Sequence, residues 1–547
     1  MTAVAPLFAL RNFQVRFDTA DGPVAAVRGV DLTLAAGQAL AIVGESGSGK
    51  SQTVLGAFGL TGANSHIAGD IAFDGHDIRL LSPRQRRSLL GRDVGFVFQD
   101  PLTALTPHLP VARQISETLE RHRGFDRTAA RAAAIALMTR LGLPADRADA
   151  YPHELSGGQR QRVMIASALA CDPKLLIADE PTTALDVTVQ AEILALLDSL
   201  RAERGLALVF ITHDLAVAAQ VTGRPGDQVA VMRAGRIVEQ GAAEALLAAP
   251  ADPYTRALAA AARPATPREA APTPLPRLVV DGLGVNYRRP SGWFASRPVP
   301  ALRDVSFTAG PGEAIGIVGE SGSGKSTLIR ALLGLVPTCA GTIHWQGAPL
   351  CPPYPRALRR SLQIVHQDPF AALNPRLTIG QSLAEPLEIH APELTAGDRR
   401  ARVQDWLARV GLPASFADRH PHELSGGQNQ RVNIARAFIA GPALVACDEA
   451  VSALDAETKV AILDLLLGLQ AETGVILLFV THDFQSVTTL CQRTIVLHCG
   501  KIVDAGATSA LMANPTQAYT RTLIAAMPRL TLPPQQAPAK REKPRET

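Results

Sequence analysis

The sequence twice places a lysine and a serine at the end of a glycine loop, a combination suited to holding a polyphosphate. The segments Gly44-Glu-Ser-Gly-Ser-Gly-Lys50-Ser51 and Gly319-Glu-Ser-Gly-Ser-Gly-Lys325-Ser326 share one pattern. Glycine at Gly44, Gly47 and Gly49, and at Gly319, Gly322 and Gly324, lets the backbone wrap closely with its N–H groups turned inward. The helix expected to follow presents its positive N-terminal end to the same anion. Lys50 and Lys325 would reach the terminal phosphates, and the Ser51 and Ser326 hydroxyls would ligate Mg2+. Ser46 and Ser321 inside the loops, and Gln52 and Thr327 just beyond them, are expected to line the same site. A flexible glycine turn is the bland alternative. Only seven of the 54 basic residues are lysines, however, and two of them fall at this position.

Two apolar segments end in paired acids, Asp179-Glu180 and Asp448-Glu449. A buried parallel strand delivers such a pair at its C-terminal end, beside the loop. The first acid of each pair suits Mg2+ through water, and the second suits orienting or deprotonating an attacking water. His213 and His482 each close a later apolar segment, 33 residues beyond the second acid in both cases. A lone strand-end histidine is more often structural, but the repeated distance marks these two as candidates.

The elements needed to gather these groups are visible in the pattern. Ala39 to Val43 and Ala314 to Val318 read as apolar strands running into the loops. Leu175 to Ala178 and Leu208 to Thr212 read as further strands separated by helical stretches, which predicts a parallel sheet flanked by helices. Short β-rich segments open each copy. The stretch from Val111 to Leu143 is expected to be wholly helical and to form a helical subdomain.

The chain repeats itself. Ser156 and Ser425, Glu180 and Glu449, and His213 and His482 are each separated by 269 residues, and Lys50 and Lys325 by 275. That distance is too long for a solenoid repeat and implies a duplicated domain. The expected division is 1–263, a linker 264–276, 277–533 and a tail 534–547. Five prolines within the 13 linker residues predict a semi-rigid, extended spacer, and the proline- and charge-rich tail is expected to be disordered. A net charge of +4 argues against a large basic surface for nucleic acid. No apolar run approaches the roughly 20 residues of a membrane-spanning helix. No export signal is expected at the N-terminus. The six cysteines form no CxxC pair, so free thiols are expected rather than a zinc or iron–sulfur site.

Leu155-Ser156-Gly157-Gly158-Gln159 and Leu424-Ser425-Gly426-Gly427-Gln428 complete a resemblance to the ABC ATPases, whose signature is LSGGQ. A serine and two glycines opening a helix offer a hydroxyl, free N–H groups and a dipole to an anion. The resemblance implies two tandem P-loop NTPase domains of α/β class. Each would have a RecA-like core, an antiparallel β subdomain and a helical subdomain. It implies ATP and Mg2+ as ligands and head-to-tail completion of each site by the other domain's signature. Lys50 and Glu180 would then work with Ser425 and Gly427, and Lys325 and Glu449 with Ser156 and Gly158. Gln99 and Gln367 match the family's Q-loop glutamine, which senses Mg2+ and the attacking water. Asp186 and Asp455 match its D-loop, and His213 and His482 its switch histidine. Phe17 and Tyr287 are the candidates for stacking on adenine.

The segments Asp100-Pro-Leu-Thr-Ala-Leu-Thr-Pro107 and Asp368-Pro-Phe-Ala-Ala-Leu-Asn-Pro375 resemble those of dipeptide and oligopeptide importer ATPases. So do Tyr254-Thr-Arg and Tyr519-Thr-Arg. That branch implies two integral-membrane permease subunits as direct partners and a solute-binding protein as an indirect one. It places the chain at the cytoplasmic face of the inner membrane, held only through the permeases, and implies no nucleic-acid partner. Thr106, Asn429 and Ala450 depart from the family's usual residues without removing a reacting group. Both sites are therefore expected to hydrolyse ATP. The rival reading is a non-transport ABC ATPase acting on the ribosome or another macromolecule. The short proline-rich linker, and threonine at Thr212 and Thr481 before the histidines, argue against it. A fused sugar importer would be expected to show a degraded second loop, whereas Lys325 and Ser326 are intact.

Overall fold

A computed structural model describes the chain except residues 1–5, 20–21, 183–184, 264–266, 269–274, 291–295, 453, 529 and 531–547. The chain forms two compact units. The first is built mainly from Met1–Leu185 and Glu192–Arg263, and the second from Asp186–Ala191 and Pro264–Met527.

In the first unit, Ala39–Val43 and Leu175–Asp179 are buried at every residue, as an apolar strand must be when both sheet faces are covered. They sit within a six-stranded sheet. Its order is Arg236–Ala242, Gln228–Arg233, Ala39–Val43, Ala207–Thr212, Leu175–Asp179, Val94–Val97. All neighbours are parallel except the first pair. The register aligns Val43 with Thr212 and Asp179 with Ile211, so the glycine loop, the acid pair and His213 all leave the sheet at the C-terminal ends of its strands. An antiparallel sheet of four strands, ordered Gly22–Leu34, Phe8–Thr19, Ser65–Phe73, His76–Asp77, packs its apolar face into the same core.

The second unit repeats this plan. Its six-stranded sheet runs Leu362–Val365, Leu444–Asp448, Ile476–Thr481, Ala314–Val318, Arg493–His498, Lys501–Ala507. Val318 aligns with Thr481 and Asp448 with Val480. Its four-stranded sheet runs Ser296–Ala309, Leu278–Pro290, Ala340–Trp345, Ala348–Pro349.

One sequence expectation needs correction. The stretch from Val111 to Leu143 is not wholly helical, because the helices Val111–Arg123 and Arg127–Arg140 are separated by a break. Gly124 takes the left-handed conformation that ends the first, at φ 70°. Asp126 then caps the second by accepting the Thr128 and Ala129 N–H groups, both at 2.9 Å. Of the linker, Arg268 is among the described residues and makes bonds within the second unit. In the first unit the buried Arg201 guanidinium pairs with Asp227 at 2.6 Å and donates to the Val221 carbonyl. The second unit has Gln470 and Gln492 near the corresponding positions, and Gln492 takes over Asp227's bond to the start of the central strand. Arg268 supplies the guanidinium there, donating to Gln470 Oε1 at 2.6 Å and to the Leu490 carbonyl at 3.5 Å. Most of the remaining linker and the whole 534–547 tail lie outside the described residues.

Candidate active site

Each glycine loop is shaped by contacts that no side chain would permit. A Cβ at Gly44 would stand 2.2 Å from the Met232 carbonyl, and one at Gly49 would stand 2.4 Å from that of Ala26. Gly319 is equally close to the Leu497 carbonyl. Gly47 and Gly322 instead face open space and adopt φ 79°. The loops end at Gly49 and Gly324, left-handed N-caps of the helices Lys50–Ala57 and Lys325–Leu332. Lys50 Nζ donates to the Gly44 and Glu45 carbonyls, each at 2.8 Å, and Lys325 Nζ does the same to Gly319 and Glu320. Both lysines are 5% exposed. Burial lowers the Lys325 pKa, opposed chiefly by the charge of Glu449. The Ser48 and Ser323 hydroxyls are buried in the loops without a hydrogen-bond partner. A loop with open glycines, buried cations and unspent hydroxyls fits a polyphosphate. Ser46 and Ser321 lie within the loops, and Gln52 and Thr327 in the third position of the helices that follow.

Ser51 Oγ donates to Asp179 Oδ1 at 2.9 Å, and Ser326 Oγ to Asp448 Oδ1 at 2.9 Å. Burial raises the pKa of both aspartates, against the opposing serine hydrogen bonds. A hydroxyl beside a carboxylate that is costly to charge is a donor set suited to a hard divalent cation such as Mg2+.

Glu180 and Glu449 sit one residue beyond the strand ends, with φ of 46° and 51°. This left-handed backbone strains a non-glycine residue. The neighbouring strand holds it, since the Glu180 N–H donates to Ile211 at 3.0 Å and the Glu449 N–H to Val480 at 2.9 Å. Three predicted groups converge on the Glu180 carboxylate. Gln99 Nε2 donates to Oε2 at 3.1 Å, His213 Nδ1 lies 3.5 Å from Oε2, and Lys50 Nζ lies 3.9 Å from Oε1. In the second unit, Gln367 Nε2 donates to Glu449 Oε2 at 2.8 Å and His482 Nδ1 lies 3.6 Å from Oε1. Burial pushes the Glu449 pKa up, but the His482 hydrogen bond and the charges of His482 and Lys325 hold it below the usual value.

The signature serines take no part in those bonds. Ser156 and Ser425 cap the helices Gly157–Leu169 and Gly426–Phe438. Each hydroxyl accepts the N–H of Gln159 or Gln428 at 3.3 Å, and each glutamine side chain accepts the serine N–H in return. Gly157 and Gly158, and Gly426 and Gly427, are the first residues of these helices, the end whose N–H groups and dipole favour an anion. Asp455 caps the helix Ala456–Thr473 through the Thr458 N–H at 2.9 Å. Asp186, within the second unit, accepts the Ser321 N–H at 2.7 Å.

The two aromatic candidates differ. Phe17 is partly buried and packs against the core of its unit. Tyr287 is 40% exposed, with its hydroxyl 3.4 Å from Thr327 Oγ1, beside the loop helix. Sequence reasoning missed Tyr254 and Tyr519 as loop residues. The Glu45 N–H donates to the Tyr254 hydroxyl and the Glu320 N–H to the Tyr519 hydroxyl, both at 3.1 Å. Their repeated Tyr-Thr-Arg context was the available signal.

Among the described residues no helix is long and apolar enough to cross a membrane, and no cluster of three or more His, Cys, Asp or Glu is arranged to hold a metal ion.

The comparisons with known proteins agree with this geometry. The model of the ABC transporter family matches residues 27–183 and 302–452. The model of the oligopeptide/dipeptide transporter C-terminal region matches 238–278 and 503–547. The chain is similar to the peptidoglycan transport ATP-binding protein YejF of Agrobacterium fabrum, with 42% identity over 96% of this chain and 97% of that one. It is similar to the glutathione import ATP-binding protein GsiA of Shigella dysenteriae serotype 1, with 42% identity over 95% of this chain and 89% of that one. Its likeness to GsiA of Pectobacterium atrosepticum is also 42% identity, over 95% and 89%.

Proposed function

The chain belongs to the ABC transporter family of ATP-binding proteins, and on that premise we propose that it powers import of peptides or peptide-like solutes through membrane permeases. It is an ATPase with two ABC transporter family segments in one polypeptide. The observation that carries the reading is the duplicated cluster of lysine, glutamate, glutamine and histidine beside each glycine loop. The matched oligopeptide/dipeptide C-terminal region supports the choice of solute class.

In this reading Lys50 and Lys325 neutralise the terminal phosphates, with the loop N–H groups and the helix dipole behind them. Glu180 and Glu449 orient or deprotonate the attacking water. Gln99 and Gln367 hold those carboxylates and face the same water, and His213 and His482 meet the γ-phosphate. Ser51 with Asp179, and Ser326 with Asp448, would hold Mg2+, assisted by Gln99 and Gln367. Bound there, the ion would neutralise charge developing on the phosphate oxygens. Tyr287, and less directly Phe17, would face adenine. Asp186 and Asp455 would carry the state of one site to the other.

The family's mechanism implies that ATP draws the two copies together, each signature helix then completing the other's nucleotide site. A near-complete switch between open and closed states needs about 5 kcal/mol of differential ATP binding. Membrane permeases are the partners that convert this closure into transport. We assign two of them, with a solute-binding protein delivering cargo, and place the chain peripherally on the cytoplasmic face of the inner membrane.

The test is affinity purification of the tagged Glu180→Gln, Glu449→Gln chain with ATP from detergent-solubilised membranes of its host, followed by mass spectrometry. Two multi-span permeases are expected. Ribosomes or DNA-repair proteins without a permease would overturn the transport reading and leave the ATPase.

A further inference from the structure

The signature helices of the two units differ in what their buried faces grip. In Gly426–Phe438, Asn433 is fully buried, and its Nδ2 donates to the His366 carbonyl at 3.0 Å while lying 3.4 Å from Gln430 Oε1. One turn further, Arg436 donates to the Ala372 carbonyl at 3.3 Å and pairs with Glu385 at 2.7 Å. His366 and Ala372 bracket the segment that carries Gln367. That segment leaves the sheet at Val365 and enters the short helix Pro369–Ala372. Gln367 thus stands outside both the strand and the helix, and its backbone direction is set by what holds its neighbours.

The first unit lacks this grip. With the repeat distance of 269, Met164 occupies the place of Asn433 and Ser167 that of Arg436. Methionine offers no donor to the carbonyl of Phe98, and the Ser167 hydroxyl is buried without a partner. By contrast, the start of the helix is held in both units. Arg160 donates to the Leu155 carbonyl at 2.9 Å, and Asn429 donates to that of Pro421 at 2.8 Å. Among the described residues, the grip on the glutamine segment is present in the second unit and not in the first. A buried amide costs free energy unless paired, so Asn433 and the His366 carbonyl hold one another.

We infer that Asn433 is a positioning residue for ATP hydrolysis in the second copy, holding the His366 carbonyl so that Gln367 stays directed at Glu449, with Arg436 bracing the far end of the segment. The inference rests on the assignment of Gln367 and Glu449 to the hydrolytic centre.

The test uses the full-length chain with Asn433→Met, which installs the first unit's own residue, and Asn433→Ala as a second variant. Steady-state ATP hydrolysis is measured together with deuterium exchange of peptides spanning 362–372 and 94–104. With Glu180→Gln in the background, so that only the second copy's turnover is read, kcat for both variants is expected to fall about three- to tenfold, the rate equivalent of one neutral hydrogen bond. The KM for ATP should change by less than about twofold, because the phosphate loop is untouched. Exchange should accelerate at 362–372 and stay unchanged at 94–104. Unchanged kcat in both variants, or unchanged exchange at 362–372, would overturn the inference. So would exchange raised evenly across the whole second unit, which would show a merely structural role. Gln367→Ala separates the two levels. If it leaves kcat untouched, the assignment of the centre fails. If it lowers kcat while both Asn433 variants behave as wild type, only the brace fails.

Discussion

His482 Nδ1 lies 3.6 Å from Glu449 Oε1, and His213 Nδ1 lies 3.5 Å from Glu180 Oε2, so each copy sets its strand-end histidine against its own acid at nearly one distance. This repetition supports hydrolysis at both centres. Glu180→Gln and Glu449→Gln are each expected to lower hydrolysis at their own centre by about 10²–10⁴-fold, the usual share of a positioned general base, while ATP still binds. Single-turnover hydrolysis beside nucleotide affinity checks this. One variant retaining near wild-type turnover would show that its centre is not hydrolytic.

The left-handed backbone of the two glutamates has a cost that can be measured. At φ 46°, Glu180→Gly is expected to be more stable than Glu180→Ala by about 1 kcal/mol, since only the alanine keeps the Cβ clash. Both variants lose the carboxylate, so the comparison isolates the backbone. Denaturant unfolding of the two would show equal midpoints if the strain were absent.

Tyr254 and Tyr519 each hold one N–H of a phosphate loop. Tyr254→Phe and Tyr519→Phe remove the acceptor and keep the ring. Each is expected to weaken ATP binding at its own loop by about 0.5–1.5 kcal/mol, with the catalytic acids unaffected. Titration with a fluorescent ATP analogue measures it, and unchanged affinity in both variants would leave these tyrosines with a packing role only.

Burial raises the pKa of Asp179 and Asp448 above the usual aspartate value. The folded state therefore binds these protons more tightly than the unfolded chain does. With no cation bound, each aspartate costs stability above its raised pKa, and that cost is relieved as pH falls through it. A divalent cation must displace the proton, so the Mg2+ concentration for half-maximal ATPase activity should rise as pH falls from neutral towards the raised aspartate pKa. Glu449 has the opposite shift, and its carboxylate stays ionised across that range. Mg2+ titrations at stepped pH test this; a half-maximal concentration independent of pH would contradict it.

Arg201 and Asp227 form an ion pair with both side chains 1% exposed. Arg201→Ala should cost about 3–5 kcal/mol by leaving Asp227 buried without its partner. Arg268→Ala removes bonds to neutral acceptors and leaves no buried charge unpaired, so it should cost less, about 1.5–3 kcal/mol. Chemical denaturation of both variants checks the ordering.

Much of the candidate site was legible from local pattern. Glycine loops, strand-end acids and the repeated histidine spacing are written in consecutive residues, because loop shape and strand burial are local demands. The break at Gly124 was legible too, had glycine and Asp126 been read as the end of one helix and the cap of the next. Phe17 was harder, since an aromatic in an early strand serves a core or a ligand with the same spacing.

By itself the sequence determined the α/β class, the duplication and which residues could bind phosphate, because glycine, lysine and carboxylate chemistry at short spacing leaves few alternatives. Only the tertiary structure decided that Tyr254 holds a loop 209 residues away, that Arg268 of the linker stands in for Arg201, and that Asn433 grips the carbonyl beside Gln367. These are bonds between side chains and distant backbone groups. Their partners carry no side-chain identity to read, and only sheet register and helix packing bring them within reach.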